Sequence, residues 1–338
     1  MIHAHAVPAR NISSAAVSKM DYSIIFPNLH ITLSHVGKEI SIGSFTIAFY
    51  GITIAIGMLA GLGVALWQAR RTKQNTDQYF DFVIIAIILS VLGARIYYEA
   101  FRWEYYKDNL KNILNIRQGG LAIYGGIIVA VITAIVWCKV KKIKMGLFVD
   151  TAVLGLITGQ IIGRWGNFFN REAFGDYCDG PFAMLLPLNA VRSSDVTDTL
   201  YNNLVQVDGV TYISVHPTFL YESLWNLALL ILLILYTKHK KFDGEILLLY
   251  LVGYGVGRFW IENLRTDQLL IPGLNYPVSR ALSAVVAVAA AAIIAVIRTR
   301  LWKKSKNQPI EESPSEEKSE EDKIIEEILA EEEASEKK

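Results

Sequence analysis

LFVDTAVLGLITGQII, residues 147–162, runs without a break into GRWGNFFNREAFGD, residues 163–176. The first stretch suits a helix in hydrocarbon. The second sets Arg164, Asn167, Asn170, Arg171 and Glu172 among tryptophan and phenylalanine. Ionised groups at the end of an apolar helix are costly unless they are paired or line a wet cavity, so the sequence reads as a membrane span that opens on a polar site. The rest of the chain supports a membrane setting. Apolar residues make up 52% of the 338 and charged residues 19%, and the apolar ones are gathered into long blocks. Seven blocks reach the roughly 20 residues that a bilayer-crossing helix needs. They cover residues 44–67, 79–99, 119–138, 146–166, 217–237, 245–264 and 277–297. Their apolar residues show no period-two alternation, which favours helices over a barrel. The expected architecture is all-α, a polytopic bundle of seven transmembrane helices.

Basic residues orient it. Arg70, Arg71 and Lys73 follow the first span, and Lys139, Lys141, Lys142 and Lys144 the third. Lys238, Lys240 and Lys241 follow the fifth, and Arg298, Arg300, Lys303, Lys304 and Lys306 the last. By the positive-inside rule these connections are cytoplasmic, which places the N-terminus outside and the C-terminus in the cytoplasm. The expected division is an N-terminal extension and interfacial lead-in over 1–43, and a seven-helix domain over 44–300. A small extracytoplasmic head, 167–216, lies between spans four and five. An acidic, disordered cytoplasmic tail covers 301–338. The net charge of +1 separates into −8 on residues 305–338, with 13 acidic and 5 basic side chains, and +9 on residues 1–304. The segment DKIIEEILAEEE in the tail has the pattern of a short helix. No N-terminal signal peptide is visible, and Met20 reads as an alternative start. Cys138 and Cys178 fall on opposite sides of the expected bilayer, too far apart for a disulfide.

Counting about 1.5 Å per residue along each span puts the intramembrane polar groups in the outer half of the bundle. They are Tyr50, Arg95, Tyr124, Arg164, Asn167, His216, Tyr221, Glu222, Arg258 and Glu262. Arg258 and Glu262 stand at i,i+4 and by themselves fit a structural ion pair. As a set, Arg95, Arg164 and Arg258 outnumber Glu222 and Glu262, and a cationic surplus at that depth calls for an anion such as a phospholipid phosphate. Arginine suits it because its planar fork binds phosphate bidentately. Gly155, Gly159 and Gly163 recur at i,i+4 and give the fourth span a smooth face for another helix. Glycine pairs on both sides of Tyr124 fit either tight packing or room for a lipid headgroup.

GRWGNFFNREAFG, residues 163–175, resembles the signature G-R-x-G-N-F-x-N-x-E-x-[FYW]-G of the prolipoprotein diacylglyceryl transferases. The resemblance extends through FYG (49–51), GARIYY (93–98), GGLAIYGG (119–126), VDTAVLGL (149–156), HPTFLYES (216–223) and GRFWIENLRTD (257–267). It implies an enzyme of the bacterial cytoplasmic (inner) membrane that moves the diacylglyceryl group of phosphatidylglycerol onto the lipobox cysteine of prolipoprotein signal peptides. A thioether forms and glycerol phosphate leaves. The implied partners are those two substrates and membrane lipids; nucleic acid, metal ions and soluble cofactors have no part. By the same resemblance Arg164, Tyr124, Arg258 and Glu262 carry the chemistry. Arg164, Asn167, Asn170, Tyr50, Arg95, Glu172, Gly175, Tyr221 and Glu222 hold the phospholipid. Many family members have histidine where this chain has Tyr124, so a histidine base cannot be general. The tyrosine is either a hydrogen-bond donor to phosphate or a base with a depressed pKa, and His216 is a possible substitute base. Two rivals compete. An anion transporter would show internal repeats and helices broken near the midplane. A phospholipase or acyl transferase would show a Ser–His–Asp set or nucleophile elbow.

Overall fold

The computed structural model describes residues 5–6, 23–43, 45–107 and 120–306. Met20 and the acidic segment DKIIEEILAEEE lie outside them. The chain divides into two compact units, residues 1–294 and 295–338. In its described part the second is the C-terminal end of the last helix, which runs to Lys306, past the boundary expected at residue 300.

Seven long helices lie among the described residues: α1 Phe49–Arg71, α2 Thr76–Phe101, α3 Ile123–Val140, α4 Met145–Asn170, α5 Thr218–Tyr236, α6 Glu245–Glu262 and α7 Val278–Lys306. Among the described residues six segments are long and apolar enough to cross a membrane: α1 to α4, Thr218–His239 (α5 with the turn after it) and α7. The protein is therefore a multi-pass membrane protein by length and composition. Helix α6 equals α3 in length, at 18 residues, but its Glu245, Arg258 and Glu262 make it too charged to join them.

Helix α4 is the axis of the bundle, flanked by α1, α5 and α6. Close approach of α1 is possible only because both helices carry glycine at the crossing. A Cβ on Gly61 would stand 2.5 Å from the Gly155 carbonyl oxygen, and one on Gly57 would stand 3.0 Å from that of Gly159. Gly163, expected on the same face, makes no such approach; its nearest neighbour across the interface is Ile54 Cδ1 at 3.6 Å. Helices α2 and α3 pack chiefly on one another. At the end of the bundle where α4 begins, Asp150 accepts from Lys240 Nζ at 3.0 Å and from the Gly244 and Leu247 amides at 2.9 and 3.1 Å. It thereby caps the N-terminus of α6 and ties it to α4.

The all-α expectation is overturned by a six-stranded antiparallel sheet at the opposite end. The strands are β1 His5–Ala6, β2 Ile24–Phe26, β3 Ile31–Leu33, β6 Met184–Pro187, β7 Val205–Val207 and β8 Val210–Val215, in the order β1-β7-β8-β6-β2-β3. A separate hairpin, β4 Glu39–Ile42 and β5 Phe45–Ala48, delays the start of α1 to Phe49. The physical reason is the core beneath the sheet. Ile24, Phe26, Met184, Leu186, Ile213 and Val215 bury themselves against Phe168 near the end of α4 and Phe219 at the start of α5. The stretch IIF, expected as a lead-in lying on the membrane, supplies strand β2 instead, with Ile25 opposite Leu185. This core clamps the ends of α4 and α5 that carry the polar cluster.

Candidate active site

Three helices bring their charges together at the sheet end of the bundle. Glu222, on the first turns of α5, is the hub. Arg164 Nη2 of α4 reaches its Oε2 at 2.6 Å, and Arg258 Nη1 of α6 reaches its Oε1 at 2.9 Å. Arg258 Nη2 also pairs with Glu262 Oε2 at 2.6 Å, and Ser279 Oγ donates to Glu262 Oε1 at 2.5 Å. Both carboxylates are buried, with side chains 5% and 3% exposed. Arg164 is the most open of the arginines at 21%, and it spends only Nη2 on the protein. Its Nε and Nη1 have no partner among the described residues, and the single Glu222 contact takes one of the two N–H groups on Nη2, so an edge pairing the other with Nε or Nη1 is available to a ligand.

A fourth strand of the network comes from the loop after α6. Arg265 Nη1 stands 3.7 Å from Glu222 Oε1, and its Nε and Nη2 bind Asp267 at 2.9 and 2.8 Å. Burial alone would push the Asp267 carboxyl up; the hydrogen bonds and charge of Arg265 reverse this and hold it below the usual carboxylate range. The loop is fixed by backbone pairing with the signature: the Asp176 amide donates to Leu264 O at 2.8 Å, and the Thr266 amide to Phe174 O at 3.3 Å. Three arginines thus meet three carboxylates. The cationic surplus expected from the sequence is absent, because Arg95, counted in by its depth, pairs elsewhere, while Arg265 and Asp267 fold back from a loop and add one charge of each sign. Arg95 does not join the cluster. It is buried on α2, where Nε pairs with Glu99 at 2.6 Å and Nη1 donates to Gly120 O at 3.1 Å.

The signature residues beyond Arg164 form a second group. Asn167 and Asn170, expected to hold the phospholipid, both donate to Glu172 Oε1, at 3.1 and 3.3 Å. Arg171 and Ala173 adopt left-handed φ of 53° and 58°, conformations uncommon outside glycine, and so turn the chain sharply out of α4. Arg171 is buried and donates to the carbonyls of Phe169 and Val36, which holds that turn to the segment before α1. Gly175 is required by contact: a Cβ there would stand 2.7 Å from His216 Cβ and 2.9 Å from Leu264 O. Tyr50 lays its ring on Gly166, one residue before Asn167. Tyr221 shares a 3.3 Å hydrogen bond with His216 Nδ1. Burial pushes the His216 imidazole below its ordinary value, with Asp176 and Asp179 opposing. Tyr124 stays apart. It is 41% exposed at the start of α3, the helix that packs on α2, and has no hydrogen bond to the cluster among the described residues. Cys138 and Cys178 are both free and buried.

A profile of the prolipoprotein diacylglyceryl transferase family matches residues 38–296. The chain belongs to that family. Among its relatives are proteins named phosphatidylglycerol--prolipoprotein diacylglyceryl transferase from Bacillus mycoides (strain KBAB4), 43% identical, and Bacillus cereus (strain Q1), 44% identical. A third, from Bacillus thuringiensis subsp. konkukian (strain 97-27), is 43% identical. Each alignment runs over 236 residues, 70% of this chain and 83% of the relative. The family match takes in the three helices and the loop that build the arginine–carboxylate cluster, so the cluster belongs to the shared part of the chain.

Proposed function

We propose that this protein transfers the diacylglyceryl group of phosphatidylglycerol to the lipobox cysteine of prolipoproteins, with the cluster around Glu222 as the phosphate site. The observation that carries the reading is the free edge of Arg164, presented beside Arg258 at the end of the signature helix. A phosphodiester oxygen pair fits that edge bidentately. The thiolate sulfur forms a bond to the glyceryl carbon, the carbon–oxygen bond to phosphate breaks, and its electron pair leaves on glycerol phosphate. A free thiol has a pKa of about 8.5, so only a small fraction is thiolate at neutral pH. Arg164 both favours that thiolate and neutralises the charge that grows on the leaving phosphate. Glu262 aims Arg258, and Glu222 spaces the two arginines. Asn167, Asn170 and Glu172 form a polar wall beside the phosphate. Tyr124, exposed at the start of α3, is a donor to the lipid from the α2–α3 side, and Arg95, held by Glu99 and Gly120, braces that side.

Helix α6 is a seventh span, about 27 Å long at 1.5 Å per residue. Its charges do not face lipid: Arg258 and Glu262 are paired, and buried Glu245 accepts from the Lys241 amide at 2.5 Å. The sheet end is extracytoplasmic and the lysine-rich end cytoplasmic, in the inner membrane of a bacterium. The test uses purified protein, labelled phosphatidylglycerol and a lipobox peptide with cysteine or serine. Thioether product with cysteine alone, and glycerol phosphate in equal amount, supports the reading; lysolipid or free fatty acid overturns it.

A further inference from the structure

One turn beyond Glu222 along α5, toward the interior of the bundle, stands Asn226. Its side chain is buried, 2% exposed, and Nδ2 has no hydrogen-bond partner among the described residues. Buried amide donors in native proteins are nearly always paired, so an open one needs a reason. Asn226 lines a narrow cleft between α5 and α6 that has Glu222 and Arg258 at one end and Trp225, Tyr254 and Ile261 around it. The cleft is rigidly built. Trp225 Nε1 donates to Gly253 O at 2.9 Å, and a Cβ on Gly257 would stand 2.2 Å from the same nitrogen, so the indole can form this wall only against glycine.

The spacing matches a glycerolipid. Residues at i and i+4 share a helix face about 5–6 Å apart. In a phospholipid the acyl ester carbonyls lie about that far beyond the phosphate, toward the chains, and one helical turn from Glu222 is Asn226. We propose that Asn226 Nδ2 donates a hydrogen bond to an acyl ester carbonyl of the lipid whose phosphate Arg164 and Arg258 hold. This rests on the phosphate role of those arginines. The bond supplies the acceptor that the buried amide lacks and fixes the glyceryl unit at two points, the phosphate and one ester. It also makes the site selective for ester-linked over ether-linked lipid, because an ether has no carbonyl to accept.

The experiment compares diester phosphatidylglycerol with its dialkyl ether analogue, using thioether formation on the cysteine peptide. The parent protein is expected to show a KM about five- to tenfold lower for the diester, the worth of one hydrogen bond to an otherwise unpaired buried donor, with kcat little changed. Asn226→Leu removes that difference by raising KM for the diester alone, and Asn226→Asp, which only accepts, raises it further. Equal KM values for the two lipids in the parent protein overturn the proposal without any variant. So does Asn226→Leu that impairs both lipids equally, since that is the signature of a packing role. Loss of cysteine-dependent product with both lipids in the parent overturns the transferase reading itself, and with it the lipid contact.

Discussion

Arg164 and Arg258 both grip Glu222, yet removing them should have different consequences. Arg164 makes one bond to the protein and offers its other edge outward. In Arg164→Ala, Glu222 keeps Arg258 at 2.9 Å and Arg265 at 3.7 Å, so no buried carboxylate is left bare. Folding stability should therefore change little. Transfer should fall at least 10²–10³-fold, the loss of about 3–4 kcal/mol typical when one preorganised donor to a developing anion is removed. Arg164→Lys should recover only part of it, because an ammonium has no fork. Arg258 is different: it serves Glu222 and Glu262 together, and both side chains are almost wholly buried. Arg258→Ala leaves two buried carboxylates short of a partner, which costs about 3–5 kcal/mol of stability when a buried pair is broken. It should lose activity and melt early. The assay pairs initial transfer rates with thermal unfolding of the purified proteins in the same detergent and lipid. Turnover of Arg164→Ala within tenfold of the parent would refute the phosphate role. Equal destabilisation by the two substitutions would refute the division of labour.

Tyr124→Phe should slow transfer about tenfold and leave the alkaline limb of the pH–rate profile in place. A loss of 10²–10⁴-fold, with activity kept in Tyr124→His and a new ionisation near pH 6.5, would make it the base instead. Gly61→Leu should prevent stable folding, because even a Cβ would meet the Gly155 carbonyl at 2.5 Å; normal yield and melting of the purified variant would contradict the crossing. Asp267 has a folded pKa below its unfolded value, so its contribution to stability is complete above the unfolded pKa of about 3.9 and is lost as pH falls through the folded value. Amide exchange in the loop after α6 should accelerate in that acid window before α4 opens, and simultaneous opening of both would argue against a local effect. Asp150→Ala should free the start of α6 and leave Lys240 without its buried partner, lowering the melting temperature while transfer per folded molecule is unchanged. A selective loss of transfer would tie that end of the bundle to the chemistry.

The helices were legible because long apolar runs determine them, and six of the seven expected starts fall within four residues of the helices observed; the first falls five short. Strands β2 and β6 were not, because IIF and MLLP are three and four residues long. Runs so short carry no alternation that separates a strand from an interfacial coil. Only the partner across the sheet decides. Arg164, Glu222, Arg258 and Glu262 were found together since each lies on a span whose register fixes its depth. Depth says nothing about direction around the helix axis, so Arg95 seemed to belong to the same site although it turns toward Glu99. Arg265 and Asp267 stood in plain sight in LRTD, but a loop residue has no depth until the pairing of Phe174–Asp176 with Leu264–Thr266 brings it back. Asn226 gave no signal in the sequence, where a lone asparagine in a span reads most simply as a helix-packing residue.

Charge balance explains how such a site can exist and still act on a lipid. Three arginines without carboxylates would be unstable in a low-dielectric setting, and three arginines saturated by carboxylates would bind nothing. Here the carboxylates consume Arg258 and Arg265 and only part of Arg164. A phosphodiester brings one negative charge to the free edge of Arg164. As the glyceryl–oxygen bond breaks, negative charge grows on the departing oxygen, and the donors already aimed at it bind that state more strongly than the starting diester. Acceleration comes from this difference, since binding the lipid and the transition state equally would raise affinity without raising rate. Glu222 sets its size. Glu222→Gln would free donor capacity on Arg164 and Arg258 and tighten binding of the product glycerol phosphate, and release would then limit turnover. The expected signature is a burst of thioether equal to the enzyme concentration, followed by a slow steady rate relieved by dilution. A variant that is slow from the first turnover would show instead that Glu222 serves the chemical step directly.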